Sequence, residues 1–228
     1  MAFPLTHLCV AYQILDKLPL LFPHSAELFI LGSIAPDAVH HRNEFMGAPQ
    51  SNIGPAKKIT HLCPVGEEKW GYVTDNDGWV QCVQAFLYAN PGNPFAAGYA
   101  VHVLTDIFNN LGIWRNYVKD HPDEAAKGYA SGYYKDLRNI DLRLYNECFK
   151  NSEIEYLLQN ATAQDMYGLV SCDEVQAIQY NLLNVAYVSA PTITDTSECF
   201  YVTYEQAMEA IEDGAEFCIG VISNIVNI

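Results

Sequence analysis

His102, Asp106 and Asn109 recur at spacings of four and three within the segment NPFAAGYAVHVLTDIFNNLGIW, Asn93 to Trp114. Residues at those spacings share one face of a helix. The rest of the segment is apolar nearly all the way round, which places such a helix in the interior of a fold. An imidazole and a carboxylate are costly there unless each is hydrogen-bonded, ion-paired or bound to a metal. Gly98, one turn before His102 on the same face, leaves room beside it. Taken alone, a His and an Asp four apart are common, and a His–Asp hydrogen bond in the core would account for them.

Other residues extend the set. His7 lies in Thr6-His7-Leu8-Cys9 on an apolar first helix, and His61 lies in Thr60-His61-Leu62-Cys63 after a Gly/Pro-rich stretch. Asp37 follows Pro36 at a helix end, where a carboxylate projects from the start of a loop. Three His and two Asp are a donor inventory suited to zinc or a similar borderline divalent ion. Cys9 and Cys63 stand two residues from His7 and His61. Positions i and i+2 of a helix face apart, so both read as buried structural thiols. His40 and His41 follow Asp37 closely and are read either as additions to the set or as exposed loop histidines. Arg42, Lys57 and Lys58 are three of only twelve Lys and Arg residues. They flank Asp37 and His61, where they could hold a substrate phosphate or be plain surface charge. Asn109 is expected to orient a ligand by a hydrogen bond. His24 and His121, beside prolines, read as surface residues. Trp70, Trp79 and Trp114 are candidates for a groove, with core packing the stronger reading.

The elements that must position these residues are helical. A first helix is expected from Leu5 to Leu18, ending at Pro19, and a second, SAELFILGSIA, capped by Ser25 and ending before Pro36. Residues 37–76 carry seven Gly or Pro and read as a long loop, of a kind that usually serves function. Asp75 or Asp77 starts the helix GWVQCVQAFLYAN, which Pro91-Gly92 breaks. Asn93 caps the central helix, with Pro94 at its first position. A long helix from Pro122 toward Cys148, shorter ones after Ser152 and from Cys172 to Val185, a loop over residues 189–203 and a closing amphipathic helix from Tyr204 to Ile225 complete the reading. Strand signals are weak, so the fold class is all-α. The chain is taken as one domain, with a metal-binding core over about residues 5–115 and a helical C-terminal half over about 120–228.

Composition bounds the function. Half of the 228 residues are hydrophobic, 27 acids against 12 bases give a net charge of −15, and seven cysteines contain no C-x-x-C. The acidic balance opposes binding to duplex nucleic acid and docking on anionic membranes through a basic patch. A small anionic substrate is still compatible, because bound divalent ions invert the local field. The odd, scattered cysteines read as mostly free thiols in a reducing compartment. The N-terminus lacks a basic n-region, His7, Gln13 and Asp16 interrupt its apolar stretch, and no run reaches transmembrane length. A cytoplasmic protein is the expectation.

In order, the chain carries a His near its start, Gly32-x-x-x-Pro36-Asp37, Thr60-His61, and Gly98-Tyr99-x-x-His102-x-x-x-Asp106. This ordered set, over residues 5 to 110, resembles the zinc-dependent phospholipase C family, which is related to the S1/P1-type nucleases. The resemblance implies a phospholipase C/P1 nuclease-like bundle. It implies that His61, His102, Asp106 and Asp37 hold one zinc ion, that Asp106 bridges to a second held partly by His7, and that Asp37 lies beside the attacking water as ligand and general base. The chain departs from the family where its phospholipases use a mature N-terminal Trp as a ligand. It departs again at their third metal, since His121 is the one His after Asp106. The expected function is a zinc-dependent phosphoric ester hydrolase with one or two ions, acting on a small phosphate ester or a lipid headgroup. Asn109, His41, Arg42 and Lys58 are the candidates for supporting the ligands or the substrate. The alternative is a non-catalytic metal-binding or scaffold protein that retains the fold. A nucleotide phosphohydrolase of the His-Asp type would need an adjacent His-Asp pair, and the sequence has none.

Overall fold

A computed structural model describes residues 3–45, 50–66 and 71–226. The fold is all-α. Eleven α-helices occur among the described residues: α1 Pro4–Lys17, α2 Ala26–Gly32, α3 Gln50–Thr60, α4 Asn76–Ala89, α5 Pro94–Leu111, α6 Ile113–Asp120, α7 Pro122–Ala125, α8 Gly132–Leu144, α9 Glu153–Asn160, α10 Cys172–Asn184 and α11 Tyr204–Val226. A 3-10 helix, Ala35–His41, follows α2, and a π-helical turn, Tyr145–Phe149, extends α8. Extended pairing among the described residues is limited to one bridge, Met166 to Val170.

Helix α5 is the axis. Fourteen of its eighteen residues are buried, so it is packed on all sides by α1, α2, α4 and α11. Its start is written locally: the Asn93 side chain accepts from the Ala96 N–H, and Pro94 takes a position whose N–H would have had no partner. Its C-terminal half is held at Asn110, which donates to the Val73 carbonyl at 2.9 Å and to Asn76 at 2.7 Å. The helix stops at Leu111 rather than running to Trp114. Gly112 breaks the axis and Trp114 belongs to α6.

Helices α2 and α5 meet backbone to backbone. A Cβ on Gly98 would collide with the Phe29 carbonyl and approach the Gly32 Cα to 3.1 Å; one on Gly32 would collide with the Phe95 carbonyl. The two glycines therefore let two backbones touch. Gly98 serves this approach, and not the space beside His102 that its position on the stripe suggests. On the other flank, α1 is seated by a long-range carboxylate. Asp141 of α8 accepts from the Leu5 N–H at 3.1 Å and from the Tyr187 hydroxyl at 2.6 Å. An anion at that end complements the dipole of α1. Burial pushes the Asp141 carboxyl up to about 7, against these two hydrogen bonds.

Two sequence readings are corrected. Residues 37–76 are not one loop, because the 3-10 helix Ala35–His41 runs into them and α3 lies within them. Gly54 and Pro55 are two of the Gly and Pro residues on which that loop reading rests, yet Pro55 sits inside α3. Ile53, Lys57 and Thr60, at spacings of four and three, bury one face of this helix, and α3 packs against the 3-10 helix. The single long helix from Pro122 is in fact α7, a 3-10 turn at Gly128–Ala130, and α8 with its π-turn. The loop over residues 189–203 carries no helix, and Asp136 of α8 ties it down by accepting from the N–H groups of Phe200, Tyr201 and Val202. All seven cysteines are free thiols, and no helix among the described residues is long and apolar enough to cross a membrane.

Gly98→Ala should lower stability by about 1–3 kcal/mol or more, the scale of overpacking against atoms that cannot move aside. Urea unfolding followed by circular dichroism measures it. A loss no larger than that of a surface Gly→Ala change would show that α2 and α5 do not need this approach.

Candidate metal centre

Four chain segments bring their chemistry to one place. His102 and Asp106 come from α5, His7 from α1, Asp37 from the 3-10 helix that continues α2, and His61 from the residue after α3. His102 and His61 are fixed from behind. The α2–α5 approach sets the Ser33 carbonyl 2.8 Å from His102 Nδ1. His61 sits in a tight C-terminal turn: Leu62 has φ +53°, and the Cys63 N–H reaches back to the Lys58 carbonyl at 2.9 Å. That left-handed conformation is costly for a leucine. It is held by the Trp79 indole, which donates to the His61 carbonyl at 2.7 Å, and by the Tyr99 hydroxyl, which donates to the Thr60 carbonyl at 2.5 Å.

These partners assign the ring tautomers. A carbonyl only accepts, so His102 Nδ1 carries the proton and Nε2 of the neutral ring presents a lone pair. The Thr60 hydroxyl reaches the Lys57 carbonyl at 3.3 Å, which leaves its oxygen able to accept from His61 Nδ1 at 3.0 Å, the tautomer that an ion on Nε2 requires. His61 Nε2 is then also a lone-pair nitrogen. The two Nε2 atoms face one another at 3.3 Å. His61 Nε2 lies 3.7 Å from Asp106 Oδ2 and 3.4 Å from Asp37 Oδ1. His7 stacks on His102 with ring centroids 3.6 Å apart, and its Nε2 is 3.8 Å from Asp106 Oδ1. Neither ring nitrogen of His7 makes a hydrogen bond, although the residue is fully buried.

The group His61, His102, Asp106 has ligand atoms all within 4.8 Å of one another, and so does the group His7, Asp37, His102. A divalent ion fits this set. Lone pairs meeting at 3.3 Å repel unless something positive lies between them. Tetrahedral zinc with Zn–N bonds of ~2.0–2.1 Å would separate neighbouring donors by about 3.3–3.4 Å. Buried imidazole nitrogens left without hydrogen bonds point the same way.

Burial, then the Lys57 ammonium, lowers His61 to about 3 and His40 to about 4; burial, then His102, lowers His7 well below its ordinary value. Burial alone would raise the Asp37 carboxyl. The Lys57 ammonium first, and then the neighbouring His61 and His102, outweigh it and hold Asp37 well below the usual carboxylate range. These shifts leave His7, His40 and His61 neutral and Asp37 ionised beside the Lys57 ammonium, whose Nζ lies 2.6 Å from Asp37 Oδ1. A cavity of about 180 Å³ opens on it, bordered by Asp37, Asp106, Lys57 and His40 and walled by Phe3, Tyr129 and Tyr134.

All five sequence-named ligands, His7, Asp37, His61, His102 and Asp106, meet here. Four supporting assignments do not. Arg42 is engaged elsewhere, bonding the Glu174 carboxylate through Nε at 2.7 Å and the Leu169 carbonyl at 2.9 Å, so it ties the 3-10 helix to α10 rather than facing a phosphate. Lys57, not Lys58, borders the cavity, and so does His40, not His41. Successive residues of a helical turn point about 100° apart, and α3 turns position 57 inward with Ile53 and Thr60. Asn109 is half-buried on α5, and the group that orients His102 is the Ser33 carbonyl. Trp79 and Trp114 are buried and pin loop carbonyls, as core packing implies. Trp70 lies outside the described residues. His24 and His121 are exposed. The chain matches no protein-family model, no curated protein and no solved structure.

The depressed histidines make a pH prediction for metal-free protein. His7, His40 and His61 bind protons more weakly folded than at the ordinary 6.5. Below pH 6.5 the unfolded chain takes up more protons, so stability is complete above that pH and is lost as pH falls toward 4 and 3. Urea midpoints in chelator should fall from pH 6.5 to 4, by less than the histidines alone would give, because Asp141, raised to about 7 in the folded state, takes up its proton as the pH falls and offsets part of the loss. A midpoint unchanged to pH 4 would contradict the burial of neutral imidazoles.

Proposed function

We propose that this protein is a divalent-metal-dependent phosphoric ester hydrolase acting on small phosphate esters. One observation carries the reading: three buried imidazoles converge on Asp37 and Asp106, and these two carboxylates line a cavity beside them. The ordered motif, with its resemblance to the zinc-dependent phospholipases, supports the same chemistry. His7, His61, His102, Asp106 and Asp37 are the residues that would hold zinc. When bound, such an ion supplies Lewis acidity, making hydroxide available near neutral pH and offsetting charge on the phosphoryl oxygens.

The chain's own residues do the rest. Ser33 and Thr60 keep the His102 and His61 lone pairs aimed inward, a positioning role that tunes ligand basicity. Asp37 stays ionised, as a proton acceptor must, and its pairing with Lys57 makes it a weak base that orients an attacking water more than it deprotonates it. Lys57 gives a positive border to the cavity in a strongly acidic protein. Phe3, Tyr129 and Tyr134 limit the cavity's size. Its volume falls below the ~300 Å³ at which drug-sized ligands are usually held. That favours a phosphomonoester or a lipid headgroup over a whole phospholipid.

Untagged protein should carry zinc at about one to two equivalents per chain by plasma mass spectrometry and hydrolyse an aryl phosphate. His102→Ala should retain its helical circular dichroism, lose zinc, and lose turnover by about 10²-fold or more. Protein that cannot be loaded with zinc would refute the proposal. Zinc without turnover, with His102→Ala lowering only Tm, would instead favour a metal-binding scaffold.

A further inference from the structure

Lys57 is the residue of this site that the ligand set does not use. Its side chain is buried, at 6% exposure for the residue, deep among acceptors in a protein with few bases. Its ammonium touches Asp37 Oδ1 at 2.6 Å, and that same oxygen lies 3.4 Å from His61 Nε2 and 3.6 Å from His40 Nε2. The helix phase that buries Ile53 and Thr60 fixes the inward direction of Lys57.

We propose that the Lys57 ammonium is the second cation of this centre: the protein binds one divalent ion, on His61, His102 and Asp106, and Lys57 stands beside Asp37 where a second ion would otherwise sit. The proposal rests on the metal-dependent reading and narrows it. The two candidate groups share His102 and differ in their carboxylates. Asp106 faces the imidazoles of His7 and His61 at 3.8 and 3.7 Å, whereas the Asp37 oxygen is ion-paired with an ammonium at 2.6 Å. A divalent ion on that oxygen would meet a like charge in a water-poor site, and like charges there repel strongly. A buried ammonium is stable only while it keeps its anion, so the pair resists being parted.

Charge matching agrees. Lys57 neutralises one of the two buried carboxylates, and a single divalent ion then leaves the centre modestly positive, suited to an anionic ester. Lys57 also borders the cavity, so its charge faces the place where a phosphoryl group would lie. An ammonium is a point-charge phosphate ligand. Lys57 would thus perform two tasks that a second metal ion performs in a dinuclear site, holding Asp37 and receiving phosphoryl oxygen.

Zinc stoichiometry tests this without reference to turnover. Metal-free protein is titrated with zinc chloride by calorimetry, and bound metal is counted after desalting. Wild type should bind one zinc per chain, Lys57→Arg one, and Lys57→Met two, the second more weakly. Two ions in wild type, or one in a folded Lys57→Met, would overturn the proposal while leaving the hydrolase reading intact. No zinc in wild type would remove both. If Lys57→Met does not fold, the double variant Asp37→Asn/Lys57→Met decides, because it removes the pair together and leaves no lone buried charge. It should keep one zinc with affinity within about threefold of wild type, and loss of that ion would overturn the proposal.

Discussion

The approach of α2 to α5 at Gly32 and Gly98 is the constraint on which the centre depends. Only where two backbones touch can the carbonyl of Ser33, just past the end of α2, reach the ring of His102 in mid-α5. That hydrogen bond settles which nitrogen of His102 faces inward. It also sets where the next turn of chain begins, and hence where Asp37 falls. A side chain at either glycine would part the helices and withdraw a ligand and its orienting group together.

The second organising fact is electrostatic. The chain carries a net charge of −15, yet its most buried ionisable groups are not simply acidic. Histidines kept neutral by burial, two carboxylates and one ammonium share a small volume. Each would be costly alone, and together they form an arrangement that a divalent ion fits. The rest of the fold serves to keep it that way. Asp141 seats α1 and so His7, Trp79 and Tyr99 hold the strained turn at His61, and Arg42 clamps the 3-10 helix of Asp37 to α10.

Much of this arrangement is legible in the sequence. The boundaries of α1, α4, α5, α9 and α10 follow signals a few residues long: a Pro at the first turn, or an Asp, Asn or Ser whose side chain accepts from the N–H three residues on. The five candidate ligands are legible because polar residues in apolar contexts must be answered, whatever the fold. Helix α3 is not, since Gly54-Pro55 is a turn signal that burial of Ile53, Lys57 and Thr60 overrides. Nor is the break of the Pro122 helix into pieces, which the pattern of Tyr, Lys and Arg does not reveal.

By itself, then, the sequence determined the all-α class, the central helix and the residue types able to hold a metal, because these rest on short-range periodicity and on the cost of burying polar groups. The tertiary structure alone decided between Lys57 and Lys58 and between His40 and His41, made Arg42 a clamp, and gave the orientation of His102 to a backbone carbonyl and not to Asn109. Adjacent residues of a helix differ by about 100° in direction, so their identities are nearly interchangeable in the sequence. Which of them faces the centre is settled by the neighbouring helices that pack against it, and those contacts join residues tens of positions apart.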